Sequence, residues 1–163
     1  MVLWMKKSSP RAFADGRNAL SMRDFAHSLP MALLSSRELV MGQFRPMLRE
    51  YGLTEQQWRV LRALIEFEKM EITELAQRSY ISSPSLSRIL QNLGDRGLVI
   101  RHPVRSDQRR VCISLSSSGR RLFNRIAPSS EQHYDKIEAA FGKDKLSELY
   151  SLLRELDATL SGL

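Results

Sequence analysis

The chain has 163 residues, 42% apolar and 26% charged, enough to bury a core and ordinary for a soluble globular protein. No apolar run approaches the ~18 residues a membrane span needs. At the N-terminus the charges of Lys6 and Lys7 follow a short apolar patch, so no signal peptide is expected either. A single cysteine, Cys112, excludes an intrachain disulfide and suits the cytoplasm, and a net charge of +7 points to an acidic partner.

The charge is unevenly spread. Residues 71–125 carry ten basic side chains against four acidic ones, and all ten are Arg. Arginine offers a planar fork of donors that matches phosphate and guanine edges, where lysine is closer to a point charge. Residues 131–163 are net acidic, with four basic against seven acidic groups.

In chain order, residues 1–28 show no sustained periodicity and read as a flexible tail, with a short helix expected around Ser21–His27. From Pro30 a helical pattern runs through Met31, Leu34, Leu39 and Phe44 to Tyr51, with Gly52 suited to the C′ position and a kink expected at Pro46. Thr54 and Gln57 have capping-box spacing, and Leu53 and Trp58 occupy the hydrophobic-staple positions of a second helix that runs to about Phe67. Two short helices follow. Thr73 is the expected cap of the first, with Ile72 before it as a short strand. Ser83 caps the second, with Pro84 at N1.

In that second short helix Leu86, Ile89, Leu90 and Leu93 form one apolar stripe. Ser83, Ser85, Ser87, Arg88, Gln91 and Asn92 lie off that stripe, small near the start and with forked or amide donors further on. That is what reading a DNA major groove requires, although an amphipathic surface helix has the same pattern. The next stretch separates the two readings. Leu98–Val104 reads as a strand, and Arg109–Leu115 alternates Val111, Ile113 and Leu115 with polar residues as its partner. The tip between them contains Arg105, Asp107, Gln108 and Arg109. A basic-tipped hairpin directly after a helix–turn–helix is a wing, whose Arg can enter a narrow minor groove.

Ser116 is a cap candidate for a long helix toward Phe141, with a kink expected at Pro128 and an interruption at Gly142. A last helix sets Leu146, Leu149, Leu153, Leu156 and Leu160 at alternating three- and four-residue steps, like a coiled-coil seam. The expected fold is mostly α with a small β-wing: a winged helix-turn-helix over 53–116, flanked by dimerisation helices at 29–52 and 117–163. A central reading head between helical ends suits a homodimer on two-fold symmetric double-stranded DNA.

These features resemble the MarR family of transcription regulators over about residues 30–160. The most specific marks are the wing run Ser106-Asp107-Gln108-Arg109-Arg110-Val111, with Gly119 after it, and the helix pair before it. The resemblance implies that Arg109 enters the minor groove, that Asp107 fixes the wing, and that Ser85, Ser87 and Arg88 contact DNA. Phe44-Arg45-Pro46, Leu53–Arg59 and Asp107–Arg110 are similar to the subgroup that regulates homoprotocatechuate degradation. The resemblance further implies a small aromatic-acid or phenolic effector. Arg37 is the candidate for its carboxylate, with Phe44, Trp58, Arg59 and Arg62 nearby. Phe44 and Trp58 equally suit a core, and Arg37 an exposed helix face.

Nothing in the sequence calls for catalysis. It has no Gly-rich phosphate loop, nucleophile elbow or recognisable acid pair, and His27, His102 and His133 lack metal-ligand spacing. No cofactor is expected. The reading is a sequence-specific regulator that binds a pseudo-palindrome and acts as a repressor. The alternatives are a ligand-independent architectural DNA binder and a helical interaction bundle.

Overall fold

The helical periodicities become helices, and the period-two run becomes the middle strand of a small sheet. The computed structural model describes residues 27–104 and 107–162, and only the backbone of Val104 and of Asp107 to Arg109. The expected tail lies outside the described residues, apart from His27 and Ser28. The elements are α1 (Leu29–Glu50), α2 (Glu55–Glu66), β1 (Lys69–Glu71), α3 (Ile72–Ser79), α4 (Ser83–Asp95), β2 (Val99–Val104), β3 (Asp107–Leu115), α5 (Ser117–Phe141) and α6 (Lys143–Ser161). Mostly α with a β-wing is therefore the observed class.

The chain divides into two units, residues 1–37 and 38–163. In the first, the start of α1 leaves Leu29, Leu33 and Leu34 exposed.

Helix α1 runs through Pro46 without a break and ends at Tyr51–Gly52. There Leu53 N–H bonds the Leu48 carbonyl at 2.9 Å and Gly52 N–H bonds the Arg49 carbonyl at 3.0 Å, a Schellman end with Gly52 at φ +63°. The same closure ends α3, where Ile81 N–H reaches the Ala76 carbonyl, and α4, where Leu98 N–H reaches the Leu93 carbonyl. At the start of α2 the capping box is present in both directions: Gln57 N–H to Thr54 Oγ1 at 3.2 Å, and Thr54 N–H to Gln57 Oε1 at 2.9 Å. Leu53 and Trp58 are both buried there.

Two starts differ from expectation. Glu71, not Thr73, is the N-cap of α3, and the short strand is Lys69–Glu71 rather than Ile72. Pairing with β3 fixes Glu71 opposite Cys112 in extended geometry, so the helix begins as soon as the ladder ends. Ser82, not Ser83, is the N-cap of α4. It makes no side-chain cap bond and its hydroxyl lies 3.0 Å from that of Ser85.

The sheet order is β1-β3-β2, all antiparallel, with a register shift between Pro103 and Val104. Strand β3 begins at Asp107, two residues before the Arg109 start read from the sequence. Ile113 and Leu115 face the core, as the alternation requires. They join Leu61, Leu64, Leu75, Leu86, Leu90, Leu93 and Ile126 in one apolar cluster. Gly119 is pressed against this sheet: a Cβ there would stand 2.1 Å from the Leu98 carbonyl oxygen. Helix α5 continues through Pro128, and Gly142 at φ +99° separates it from α6. No residue of α6 is buried; Leu149 and Leu160 of its seam are exposed, as is Leu152 beside it.

Candidate nucleic-acid interface and effector pocket

The reading elements form one continuous stretch. Tyr80 takes the left-handed conformation (φ +49°) that turns the chain from α3 into α4. Leu86, Leu90 and Leu93 anchor α4 to the core, leaving Ser83, Ser85, Ser87, Arg88, Gln91 and Asn92 exposed. Two of these are engaged further along the helix. Gln91 donates to Asp95 at 2.8 Å, and Asn92 accepts from Gln57 at 2.8 Å, tying α4 to the first turn of α2. Ser83, Ser87 and Arg88 have no such bond among the described residues.

In the wing, Arg110 pairs with Glu71 and fastens β3 to the edge of the sheet, while His102 Nε2 lies 2.8 Å from Ser114 Oγ. Cys112 sits half-buried between β1 and β2. Arg105 and the side chains of Asp107, Gln108 and Arg109 lie outside the described residues.

A second constellation gathers where α2 faces α5. Trp58 stacks on Phe123 at 4.9 Å between ring centroids, with a 17° interplanar angle. Phe44 packs against Tyr134 at 5.0 Å and His133 at 5.3 Å. Arg62, one turn after Trp58, donates to the Tyr134 hydroxyl at 2.7 Å and lies 5.8 Å from that ring's centroid. Phe44, Trp58 and Arg62 are thus brought to α5. Arg59 turns elsewhere, bonding the Ser79 carbonyl at 2.7 Å and approaching Glu55 at 3.6 Å. Glu55 also holds Arg45, which bonds Glu38 at 2.7 Å as well; these hydrogen bonds, Glu38 first, raise the Arg45 pKa above its ordinary value. Arg37 lies exposed on α1 in the N-terminal unit.

Tyr134, Phe123 and His133 were not among the residues the sequence nominated as an effector site. Only the three-turn spacing of Phe123 and Tyr134 along α5 puts both against α2, and that pairing of helices is tertiary information. Among the described residues no group of three or more His, Cys, Asp or Glu could hold a metal, and no helix is long and apolar enough to cross a membrane.

A helix–turn–helix followed by an antiparallel hairpin and flanked by long helices defines a winged-helix regulator. Residues 51–110 match the MarR family. The homoprotocatechuate degradative operon repressor of Escherichia coli is 44% identical over 131 residues, covering 80% of this chain and 88% of the relative. The chain belongs to the MarR family of transcriptional regulators, DNA-binding proteins rather than enzymes. Among solved structures, NadR in complex with 4-hydroxyphenylacetate is 38% identical with a TM-score of 0.73, over 83% of this chain and 96% of that one. The repressor CouR bound to a 23-mer DNA duplex is 27% identical with a TM-score of 0.74, over 86% and 99%.

Proposed function

We propose that this chain is a homodimeric repressor that binds a pseudo-palindromic operator and is released by a small aromatic acid. As a DNA-binding regulator it acts in the cytoplasm. Residues 53–116 are the reading domain. Ser83, Ser85, Ser87 and Arg88 enter the major groove, while Arg105, Asp107, Gln108 and Arg109 serve the wing in the minor groove. Gln91 and Asn92 follow on the same helix, Asn92 mainly as a brace. Residues 29–52 and 117–163 form the dimer. Its support is the apolar surface left on those helices, including Leu33, Leu34, Leu149, Leu152 and Leu160.

The observation that carries the effector reading is the Arg62–Tyr134 hydrogen bond standing over Phe44, with the Trp58–Phe123 stack on the same pair of helices. A guanidinium and a phenol beside aromatic rings suit a carboxylate or hydroxyl on an aromatic body. NadR holds 4-hydroxyphenylacetate, and that acid is the first to test here. Arg37, in the N-terminal unit, and Arg59 are the other two nominated residues; Arg59 bonds the Ser79 carbonyl and Glu55 instead.

The test is a titration of a labelled duplex from the gene's own upstream region, with and without 4-hydroxyphenylacetate. The acid should weaken binding by about tenfold or more, a coupling of about 1.4 kcal/mol. Arg62→Gln should bind DNA as wild type but lose most of that response. Unaltered DNA affinity at saturating acid would leave the ligand-independent binder as the better account.

A further inference from the structure

A cleft of about 670 Å³ opens where the end of α4 meets α5, apart from both sites above. Tyr51, Leu98 and Leu122 give it an apolar lining, and three arginines, Arg96, Arg121 and Arg125, line it as well. Among the described residues none of the three is paired with a carboxylate. Arg96 donates to the Gly52 carbonyl at 3.0 Å, and Arg121 to the Ser118 hydroxyl at 2.8 Å. Arg125 takes part through its backbone, whose carbonyl accepts from Tyr51 Oη at 3.4 Å.

These charges stand away from the reading surface. Helix α4 has 13 residues, about 20 Å of rise, and Arg96 caps the end opposite Ser83. Strand β3 has nine residues, about 30 Å of chain, between the wing and the start of α5. The cleft therefore lies at the far end of both DNA-reading elements, so groove contact does not account for its arginines. Arg121 and Arg125 are one turn apart and share a helix face, where a single anion can meet both forks.

We propose that this cleft binds a small organic anion, a carboxylate on an apolar body. The carboxylate takes donors from Arg121 and Arg125, with Arg96 closing from the other side. The body displaces water from Tyr51, Leu98 and Leu122. Occupancy links the C-terminal cap of the recognition helix to α5, the helix that leads into the C-terminal arm. The site is independent of the Arg62–Tyr134 pocket.

The test follows the arginine Nε–Hε resonances of the full chain by ¹H–¹⁵N NMR at constant ionic strength, titrating phenylacetate and, separately, inorganic phosphate. Phenylacetate should give saturable shifts at Arg96, Arg121 and Arg125, with phosphate about tenfold weaker because it lacks an apolar body. The shifts should persist in Arg62→Gln and vanish in the double variant Arg121→Gln/Arg125→Gln, whose remaining spectrum shows whether the fold is kept. Three results would each overturn the proposal: linear shifts identical for both anions, saturable shifts at Arg96 that survive the double variant, or cleft shifts that disappear in Arg62→Gln.

Discussion

Tyr80 is 88% exposed and adopts φ +49° at the turn between α3 and α4. A side chain in the left-handed region costs about 1–2 kcal/mol, and glycine avoids most of this at some cost in chain entropy. Tyr80→Gly should therefore leave stability unchanged or raise it by up to about 1 kcal/mol, read as the denaturant midpoint. A clear loss would mean that the ring supports the turn. Other single residues have roles that only the fold reveals. Gln57 serves as the N3 residue of the capping box, legible from its spacing to Thr54, and also donates to Asn92 on α4, thirty-five positions away. Arg59 and Arg62 look equivalent in the sequence, but one bonds the end of α3 and the other Tyr134. Side-chain direction at that level depends on which helix arrives opposite.

At the scale of elements, local chemistry made the boundaries legible where a cap or a glycine wrote them. Thr54, Gly52, Gly97 and Gly142 all mark ends that the structure has. Thr54→Ala should cost about 1 kcal/mol of stability, measured by urea unfolding, because one orphan N–H loses its acceptor. The starts of α3 and α4 were less legible. Glu71 is set by its strand pairing with Cys112, a contact forty-one positions along the chain, rather than by a serine or threonine signal. Gly119 was visible only as a family mark, and its reason is steric. Ser116 N–H bonds the Leu98 carbonyl at 3.0 Å, and that same carbonyl leaves no room for a Cβ at 119. Gly119→Ala should destabilise by about 1–3 kcal/mol through overpacking at the wing's base, lowering the midpoint of thermal unfolding. An unchanged midpoint would mean that α5 shifts freely away from β2.

For the whole molecule, the order of helix, turn, helix and hairpin was legible because each element carries its own period and the basic residues concentrate in it. The proposed effector site was half legible. Phe44, Trp58 and Arg62 came from the sequence, whereas Tyr134 and His133 lie some seventy or more positions later and join only when α5 packs on α2. Two copies of this reading head should bind one duplex, which fluorescence anisotropy on a duplex from the gene's upstream region, across salt concentrations, measures for wild type and Arg109→Ala. Binding should saturate at two chains per duplex, with an affinity that falls steeply with salt. Arg109→Ala should bind more weakly, with a shallower salt slope by about one unit per arginine removed. Equal binding to a scrambled duplex, or a variant indistinguishable from wild type at every salt concentration, would contradict it.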